Sequence, residues 1–186
     1  MNLENLINEI SKPHDHFDEI LDQLPKNIDY EGIYAISIDT SDISGCLLDC
    51  LRKNKNNESI IYLGKGNILS SRLGQELKAE GAGIFFRKFG SYLNYICSQE
   101  RCSHEKNYKF SFEDENSIKR EIMLKLKIKI FETSQHHEKE LIKHFNPPFN
   151  EQHNEGKISG EVKRKHLKNL HLNKEYYRKK NDRKII

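Results

Sequence analysis

Three short segments with strand-like apolar patterns limit the folds that this chain can adopt. Residues 33–38 and 60–63 form two apolar runs of strand length. Residues 124–130 alternate apolar side chains with lysines, which is typical of a strand with one buried face and one solvated, positive face. Lysines on such a face could contact phosphate. The alternative, which carries at least equal weight, is that they are solvated and protect an edge strand.

Helical spacing accounts for much of the remaining sequence. Apolar residues between positions 3 and 24 recur at helical spacings that are interrupted around Pro13, which predicts two short amphipathic helices. A helix is predicted between Asn67 and Gly81, and another around residues 85–96.

The segments between these elements are less regular. Residues 46–52, inside the long insert between the first two strands, predict a helical turn. Residues 97–119 are polar and show no firm period, which predicts a loop. The last helix of the domain is predicted to begin at residues 133–134 and to stop at the prolines 147 and 148.

Charge is distributed unevenly along the 186 residues. Residues 157–186 contain eleven Lys or Arg against three Asp or Glu, a net charge of +8. Because the whole chain carries +3, residues 1–156 carry 3 − 8 = −5. We interpret the C-terminal segment as a flexible basic arm that contacts DNA phosphates. The alternative is a solvated tail that keeps the protein in solution.

A set of glycine, aromatic and polar residues occurs in a fixed order over about residues 30–152. Either tripeptide in the set would be weak evidence by itself, but the whole order would rarely arise by chance. The set is Gly32-Ile33-Tyr34, Tyr62-Leu63-Gly64, Arg72, Glu138 and Asn150. In this order the residues resemble the GIY-YIG nuclease superfamily.

The resemblance implies an α/β (α+β) fold with a short three-stranded antiparallel sheet flanked by helices. We divide the chain into a helical N-terminal extension (1–28), a GIY-YIG-like nuclease domain (29–152) and a basic C-terminal tail (153–186).

Helix geometry distinguishes Glu138 from its neighbour Glu140. Leu141, Ile142 and Phe145 follow Glu138 by three, four and seven residues, so Glu138 lies on the face that turns toward the sheet. A carboxylate there is costly unless it is paired or bound to a cation. By resemblance, Glu138 holds Mg²⁺ or Mn²⁺, which takes oxygen ligands and keeps part of its water shell. The alternative is an ion pair with an arginine at the core edge.

The resemblance also assigns roles to the other residues of the set. Arg72 would clamp the non-bridging phosphate oxygens, with help from Lys65. Tyr34 would be the general base and Tyr62 would position water or phosphate. A phenol with a pKa near ~10 is a poor base at neutral pH, so Arg72, Lys65 and the metal would have to favour the phenolate. Each tyrosine alone could equally be a packed strand residue.

Three residues of the set have supporting roles. Gly32 and Gly64 are predicted to permit close backbone packing. Asn150 is predicted to hold the Glu138 segment or to touch the substrate.

The chain also departs from its relatives. Some relatives place a histidine four residues after the arginine, where this chain has Glu76. His136 and His137 are candidate substitutes, but the stronger interpretation is that they are surface histidines at a helix start.

The four cysteines are expected to be free thiols. A zinc site built from Cys46, Cys50, Cys97, Cys102 and His104 is a weak hypothesis, because the spacing matches no strong zinc signature. We therefore do not include zinc among the predicted sites.

The sequence shows no apolar run of membrane-span length and no signal-peptide pattern at its start. We therefore expect a cytoplasmic protein with no membrane association. The resemblance implies DNA as its partner, and we expect a monomer or homodimer. Association with the nucleoid is left open.

The predicted function is a stand-alone, divalent-metal-dependent endonuclease that hydrolyses DNA phosphodiester bonds, of restriction, mobile-element or repair type. The alternative is a non-catalytic nucleic-acid-binding protein on a nuclease fold. A protein-interaction module that uses the amphipathic N-terminus ranks last.

Overall fold

The computed structural model describes residues 1–16, 29–39, 41, 58–77, 83–102, 104–154 and 157–182, with the backbone alone for 157–159. Within these ranges the chain forms six α-helices and four strands, and a 3-10 turn, Gln135–His137, precedes the fifth helix. In chain order the elements are α1 (Leu3–Ile10), β1 (Asp15–His16), β2 (Gly32–Asp39), β3 (Glu58–Gly66), α2 (Leu69–Leu77), α3 (Ile84–Tyr92), α4 (Phe112–Lys125), β4 (Leu126–Glu132), α5 (Glu138–Phe145) and α6 (Lys157–Asp182).

The strands form one antiparallel sheet in the order β1-β4-β2-β3. The predicted α/β class and antiparallel sheet are confirmed, with four strands in place of three. The additional strand is the two-residue β1, which pairs with β4. The predicted third strand is observed as β4, but its first two predicted residues belong to the last turn of α4.

Both faces of the sheet are buried. On one face, Tyr34, Ile36 and Ile128 belong to a core that α2, α3, α4 and the start of α6 complete. On the other face, Ile33 and Ala35 pack with apolar residues of α1 and α5. A functional site therefore cannot lie on an open sheet surface, and the outer edge at β3 becomes the place where polar groups can meet solvent.

The lysines of β4 do not form a solvated positive face. Lys127 Nζ donates a hydrogen bond to Glu58 Oε1 at 2.7 Å, and Lys129 Nζ donates to the Glu9 carbonyl oxygen at 3.1 Å. The prediction was wrong because the sheet face that carries these lysines is covered by α1 and α5, and the strand lies between β1 and β2 rather than at a long edge.

The predicted N-terminal and central segments have mixed outcomes. The first N-terminal helix is confirmed as α1, with Asn2 as its cap: Asn2 Oδ1 accepts a hydrogen bond from Asn5 N at 2.9 Å. The second N-terminal helix and the turn at residues 46–52 lie outside the described residues.

The loop predicted for residues 97–119 was wrong over its last third, where α4 begins. Ser111 Oγ accepts a hydrogen bond from Asp114 N at 3.0 Å and caps this helix. The helix buries few apolar side chains, so its apolar period is weak, and the cap with its acidic first turn was the available signal.

Residues 157–182 of the C-terminal tail form a 26-residue helix rather than a flexible arm. Val162, His166, Asn169 and Asn173 form a buried stripe at helical spacing. Asn169 Oδ1 accepts a hydrogen bond from Cys97 N at 2.9 Å, and its Nδ2 donates to Ser91 Oγ at 2.9 Å. Three of the four docking residues are polar, so an apolar pattern did not reveal this contact.

The domain boundaries proposed from the sequence stay a prediction.

The two glycines of the tripeptides lie where a side chain would collide. A Cβ on Gly32 would lie 2.7 Å from Leu69 Cδ1, with the Phe131 carbonyl oxygen closer still. Tyr34 pairs with Gly64 across the two strands. A Cβ on Gly64 would lie 2.7 Å from Tyr34 Cε1, so the tyrosine ring covers this glycine. Both glycine positions are therefore closely packed, as predicted.

We expect Gly64→Ala to lower the free energy of unfolding by about 1–3 kcal/mol, because the buried Tyr34 ring must shift to admit the methyl group. Urea denaturation measures the change. Gly160→Ala is the matched control, since a Cβ there meets nothing within 4 Å. In helix α6 it should be neutral or stabilising by up to about 1 kcal/mol. Equal effects of the two substitutions would contradict the steric interpretation.

Candidate active site

A cavity of about 650 Å³ opens beside the β3 edge, between α2, α3, α5 and α6. Six of the eight residues predicted as site residues line it. They are Tyr62, Gly64, Lys65, Arg72, Glu138 and Asn150. The remaining two, Tyr34 and Gly32, are buried and do not border it. Residues that are distant in the sequence therefore meet around one space.

The two tyrosines occupy different layers of the site. Their ring centroids lie 6.1 Å apart; Tyr62 is 7% exposed at the cavity wall, whereas Tyr34 is fully buried. The Tyr34 hydroxyl is buried, and its contact with the Tyr62 hydroxyl falls short of a well-formed hydrogen bond. Tyr62, not Tyr34, is thus in position to touch a molecule in the cavity.

Burial controls the acidity of both phenols. It raises the pKa of Tyr34 and of Tyr62 well above the ordinary value, and the nearby Glu76 carboxylate raises both further. The Arg72 guanidinium opposes this effect but does not overcome it. The sequence argument anticipated the influence of Arg72 and omitted the larger cost of burial.

Arg72 has a carboxylate partner that the sequence analysis did not assign. Arg72 Nη2 lies 2.5 Å from Glu76 Oε1, one turn further along α2. The fully buried Glu76 also accepts a hydrogen bond from Phe85 N at 2.6 Å through Oε2. Burial raises the pKa of Glu76, and Arg72 lowers it.

Glu76 therefore holds the arginine in the cavity wall and ties α2 to the start of α3. Its position four residues after Arg72 was the available signal, because residues at this spacing are neighbours on a helix.

Glu138 is paired with a lysine rather than with an arginine. Lys65 Nζ lies 2.9 Å from Glu138 Oε2, and this links β3 to the first turn of α5. Leu141 and Ile142 are buried as predicted, while Glu140 is exposed. The helix thus turns Glu138, and not Glu140, toward the cavity.

Asn150 closes the outer edge of β3. Its Oδ1 accepts a hydrogen bond from Leu63 N at 2.9 Å, and its Nδ2 donates to the Leu63 carbonyl oxygen at 2.7 Å. Phe149 N donates to the Ile61 carbonyl oxygen at 3.0 Å. Of the two predicted roles, these contacts correspond to holding the Glu138 segment against the strand.

The histidines at the start of α5 do not border the cavity. The rings of His136 and His137 lie 3.8 Å apart, and His136 Nδ1 lies 2.6 Å from Ser134 Oγ. His136 is exposed, which agrees with the surface interpretation.

The donor set suits a magnesium-type ion and not a protein-only cage. Across the part of the chain that the structure describes, no group of three or more His, Cys, Asp or Glu could hold a metal ion. Glu138 supplies one carboxylate at the cavity wall, which fits Mg²⁺ because that ion usually keeps several waters. Cys97 and Cys102 are free, buried thiols. Cys46 and Cys50, which the zinc hypothesis needs, lie outside the described residues.

An arginine, a lysine, a tyrosine and a carboxylate thus border one cavity at the edge of a small α/β sheet. Residues 32–173 match the family model described as "GIY-YIG catalytic domain". The match covers more than half of the chain, which therefore belongs to this family of nuclease domains. It extends into α6, as far as the docking residue Asn173.

Comparison with curated proteins and with solved structures found no match. Among the helices in the described ranges, none is both long and apolar enough to span a membrane.

We expect a pH-dependent stability term from His166, which is buried against Tyr108 with 2.7 Å between Nδ1 and the tyrosine hydroxyl. Burial, aided by Lys88 and Arg87, lowers the pKa of His166 from 6.5 to about 4. The unfolded chain therefore binds this proton more readily. The stabilisation from neutral His166 is complete above pH 6.5 and is lost as the pH falls toward 4. The free energy of unfolding then decreases by about 3 kcal/mol once His166 is protonated in both the folded and the unfolded state.

Urea denaturation at pH 7 and pH 4.5 measures this term. His166→Gln should lose less unfolding free energy between the two pH values than the parent protein. His171→Gln, at an exposed histidine of the same helix, should behave like the parent. An unchanged pH slope in His166→Gln would contradict the assignment.

Proposed function

We propose that the protein is an endonuclease that hydrolyses DNA phosphodiester bonds with a divalent metal ion. The observation that supports this most is the meeting of Tyr62, Lys65, Arg72 and Glu138 around one cavity. Hydrolysis of a phosphodiester requires a positioned water, positive groups at the phosphate oxygens and stabilisation of the departing oxygen. These four side chains can serve all three requirements.

Arg72 is proposed to bind the non-bridging oxygens of the scissile phosphate. Its guanidinium offers a fixed set of donors, and its pairing with the buried Glu76 limits its freedom before substrate arrives. Lys65, which is nearly half exposed, adds a second positive group at the cavity mouth.

Glu138 is proposed to hold Mg²⁺ or Mn²⁺. When bound, the ion would supply Lewis-acid stabilisation to the leaving oxygen. In the structure, Lys65 forms an ion pair with the Glu138 carboxylate. A metal ion would therefore compete with Lys65 for the Glu138 carboxylate oxygens.

Tyr62 is proposed as the phenol that contacts the water or phosphate, since it borders the cavity. The assignment of Tyr34 as the general base stays a prediction from the resemblance. Tyr34 is fully buried against Gly64, so a base there would need its hydroxyl to become accessible from the cavity.

One group of observations favours a non-catalytic nucleic-acid-binding protein as the second candidate. Burial raises the pKa of both tyrosines, and the proposed metal ligand is already ion-paired.

The proposal of an endonuclease also includes DNA rather than RNA as the substrate, a monomeric or dimeric state and a cytoplasmic location.

We expect the protein to nick or linearise supercoiled plasmid in Mg²⁺ or Mn²⁺, and to do neither in EDTA. Glu138→Gln should reduce cleavage to the EDTA level, because it removes the charged oxygen that faces the cavity. Glu140→Gln is the matched control on the same helix; its side chain is exposed and away from the cavity, so it should cut like the parent.

Cleavage assays and gel-shift binding together separate the two candidates. A folded parent protein that binds plasmid but cuts nothing in either metal would favour the binding protein. Full activity of Glu138→Gln would remove Glu138 from the proposed chemistry.

We expect Tyr62→Phe to slow cleavage by roughly 100-fold or more and Tyr34→Phe to slow it less, since only Tyr62 borders the cavity. Tyr34→Phe should also change stability little, because the contact of the buried Tyr34 hydroxyl with Tyr62 falls short of a well-formed hydrogen bond. Single-turnover rates and urea denaturation of both variants test this. A larger rate loss in Tyr34→Phe would return the base role to Tyr34.

A further inference from the structure

His166 on α6 uses one of its two ring nitrogens within the protein. Its side chain is 8% exposed and borders the cavity, and its Nδ1 lies 2.7 Å from the Tyr108 hydroxyl. Among the described residues, none forms a hydrogen bond with Nε2, yet Nε2 is not one of the fully buried atoms that lack a partner. Nε2 is therefore the polar ring atom through which His166 can bind a molecule in the cavity.

The hydrogen bonds around His166 decide which ring nitrogen carries the proton. Ser91 Oγ lies 2.8 Å from the Arg87 carbonyl oxygen and 2.7 Å from the Tyr108 hydroxyl, which in turn contacts Nδ1. These are three contacts, and the two hydroxyl groups supply only two protons. Each contact contains a proton only if Nδ1–H donates to the tyrosine oxygen. Nε2 then carries a lone pair and is a hydrogen-bond acceptor.

The surroundings keep this acceptor neutral. Burial, followed by the positive charge of Lys88 and of Arg87, lowers the pKa of His166 to about 4. Glu151 acts in the opposite direction, but its carboxylate is paired with Lys88 at 3.2 Å. The positive charges that disfavour an imidazolium also disfavour a metal cation at Nε2. An uncharged donor is the ligand that suits this atom.

In DNA, such donors belong to the bases. An ionised backbone phosphate presents acceptor oxygens and offers Nε2 no proton, whereas the base edges carry N–H groups. Leu170, four residues after His166 on the same face of α6, borders the cavity and offers an apolar surface to a base. The cavity of about 650 Å³ has room for a base in addition to a phosphate.

We propose that His166 determines base preference, with Nε2 accepting a hydrogen bond from an N–H group of an unpaired nucleobase that enters the cavity beside Leu170. The proposal rests on the proposed function and deepens it, because it assigns a base contact in the cavity where hydrolysis is proposed. The base is unpaired because an acceptor recessed in a cavity wall is reached by a base that has left the stack.

The test is binding of fluorescein-labelled oligo-dA, oligo-dC and oligo-dT of equal length in EDTA at pH 7, measured by anisotropy. We expect the parent protein to prefer one of the three. Removal of the N–H group from the preferred base should weaken binding by roughly 10-fold, the effect of one hydrogen bond. Purine replaces adenine for this purpose, 2-pyrimidinone replaces cytosine and N3-methylthymine replaces thymine.

His166→Asn is the informative variant. Its amide can still donate to the Tyr108 hydroxyl, but it has no atom at the Nε2 position. It should bind the three oligonucleotides alike and should not respond to removal of the N–H group. His171→Asn is the matched control, at an exposed histidine of the same helix that does not border the cavity, and it should keep the parental preference. Circular dichroism checks that both variants are folded.

Ring-nitrogen NMR of the parent protein at pH 7 tests the tautomer without any substitution. We expect a proton on Nδ1 and an Nε2 signal that shifts when the preferred oligonucleotide is added. A proton on Nε2 would overturn the base contact.

The binding results separate this contact from the proposed hydrolysis. A parent with no base preference, or one that responds to N–H removal as His166→Asn does, would overturn the contact even if it cuts DNA. A preference that is lost in His166→Asn and kept in His171→Asn would support the contact. If that parent cuts no DNA with either metal, the proposed hydrolysis alone is rejected.

Discussion

The closure of the β3 edge by residues 149 and 150 determines where the site can form. An edge strand exposes backbone N–H and C=O groups that must find partners. Asn150 supplies both a donor and an acceptor to Leu63, and Phe149 N bonds to the carbonyl oxygen of Ile61. Because Lys88 donates to the Phe149 carbonyl oxygen, the same short segment also holds α3. It therefore sets the positions of β3, α5 and α3 around one cavity.

Opposite charges within the protein organise this cavity in the absence of substrate. Arg72 is paired with Glu76, Lys65 with Glu138 and Lys88 with Glu151. Each pair joins two elements or two turns of one helix, so each restricts a cationic side chain at the cavity wall. Such pairs contribute little net stability, since desolvation offsets much of their attraction. Their main effect is to hold the cationic side chains in fixed positions at the cavity wall.

Local signals in the sequence were sufficient for the strands that carry the two tripeptides and for the helix of Glu138. A turn of helix places Leu141 and Ile142 on the same side as Glu138 whatever else the chain does. The polar helices were harder to find. Helix α6 docks through His166, Asn169 and Asn173, whose hydrogen-bond partners lie about 58 to 78 residues away along the chain. An apolar pattern cannot reveal a contact made by buried amides. The same applies to Glu76: its spacing from Arg72 was visible, but its burial beneath the site was not.

The sequence by itself determined which local elements could form and which side chains each element could present together, because dihedral preferences, helix period and strand alternation act over a few residues. On those grounds Glu138 was separated from Glu140, and Gly32 and Gly64 were assigned to close packing. Only the tertiary structure decided which tyrosine reaches the cavity, which cation pairs with each carboxylate and that the basic C-terminal segment is part of the wall. Those outcomes depend on burial and on distances between elements far apart in the chain. Desolvation and ion pairing, which dominate the chemistry of the site, are properties of that assembled environment.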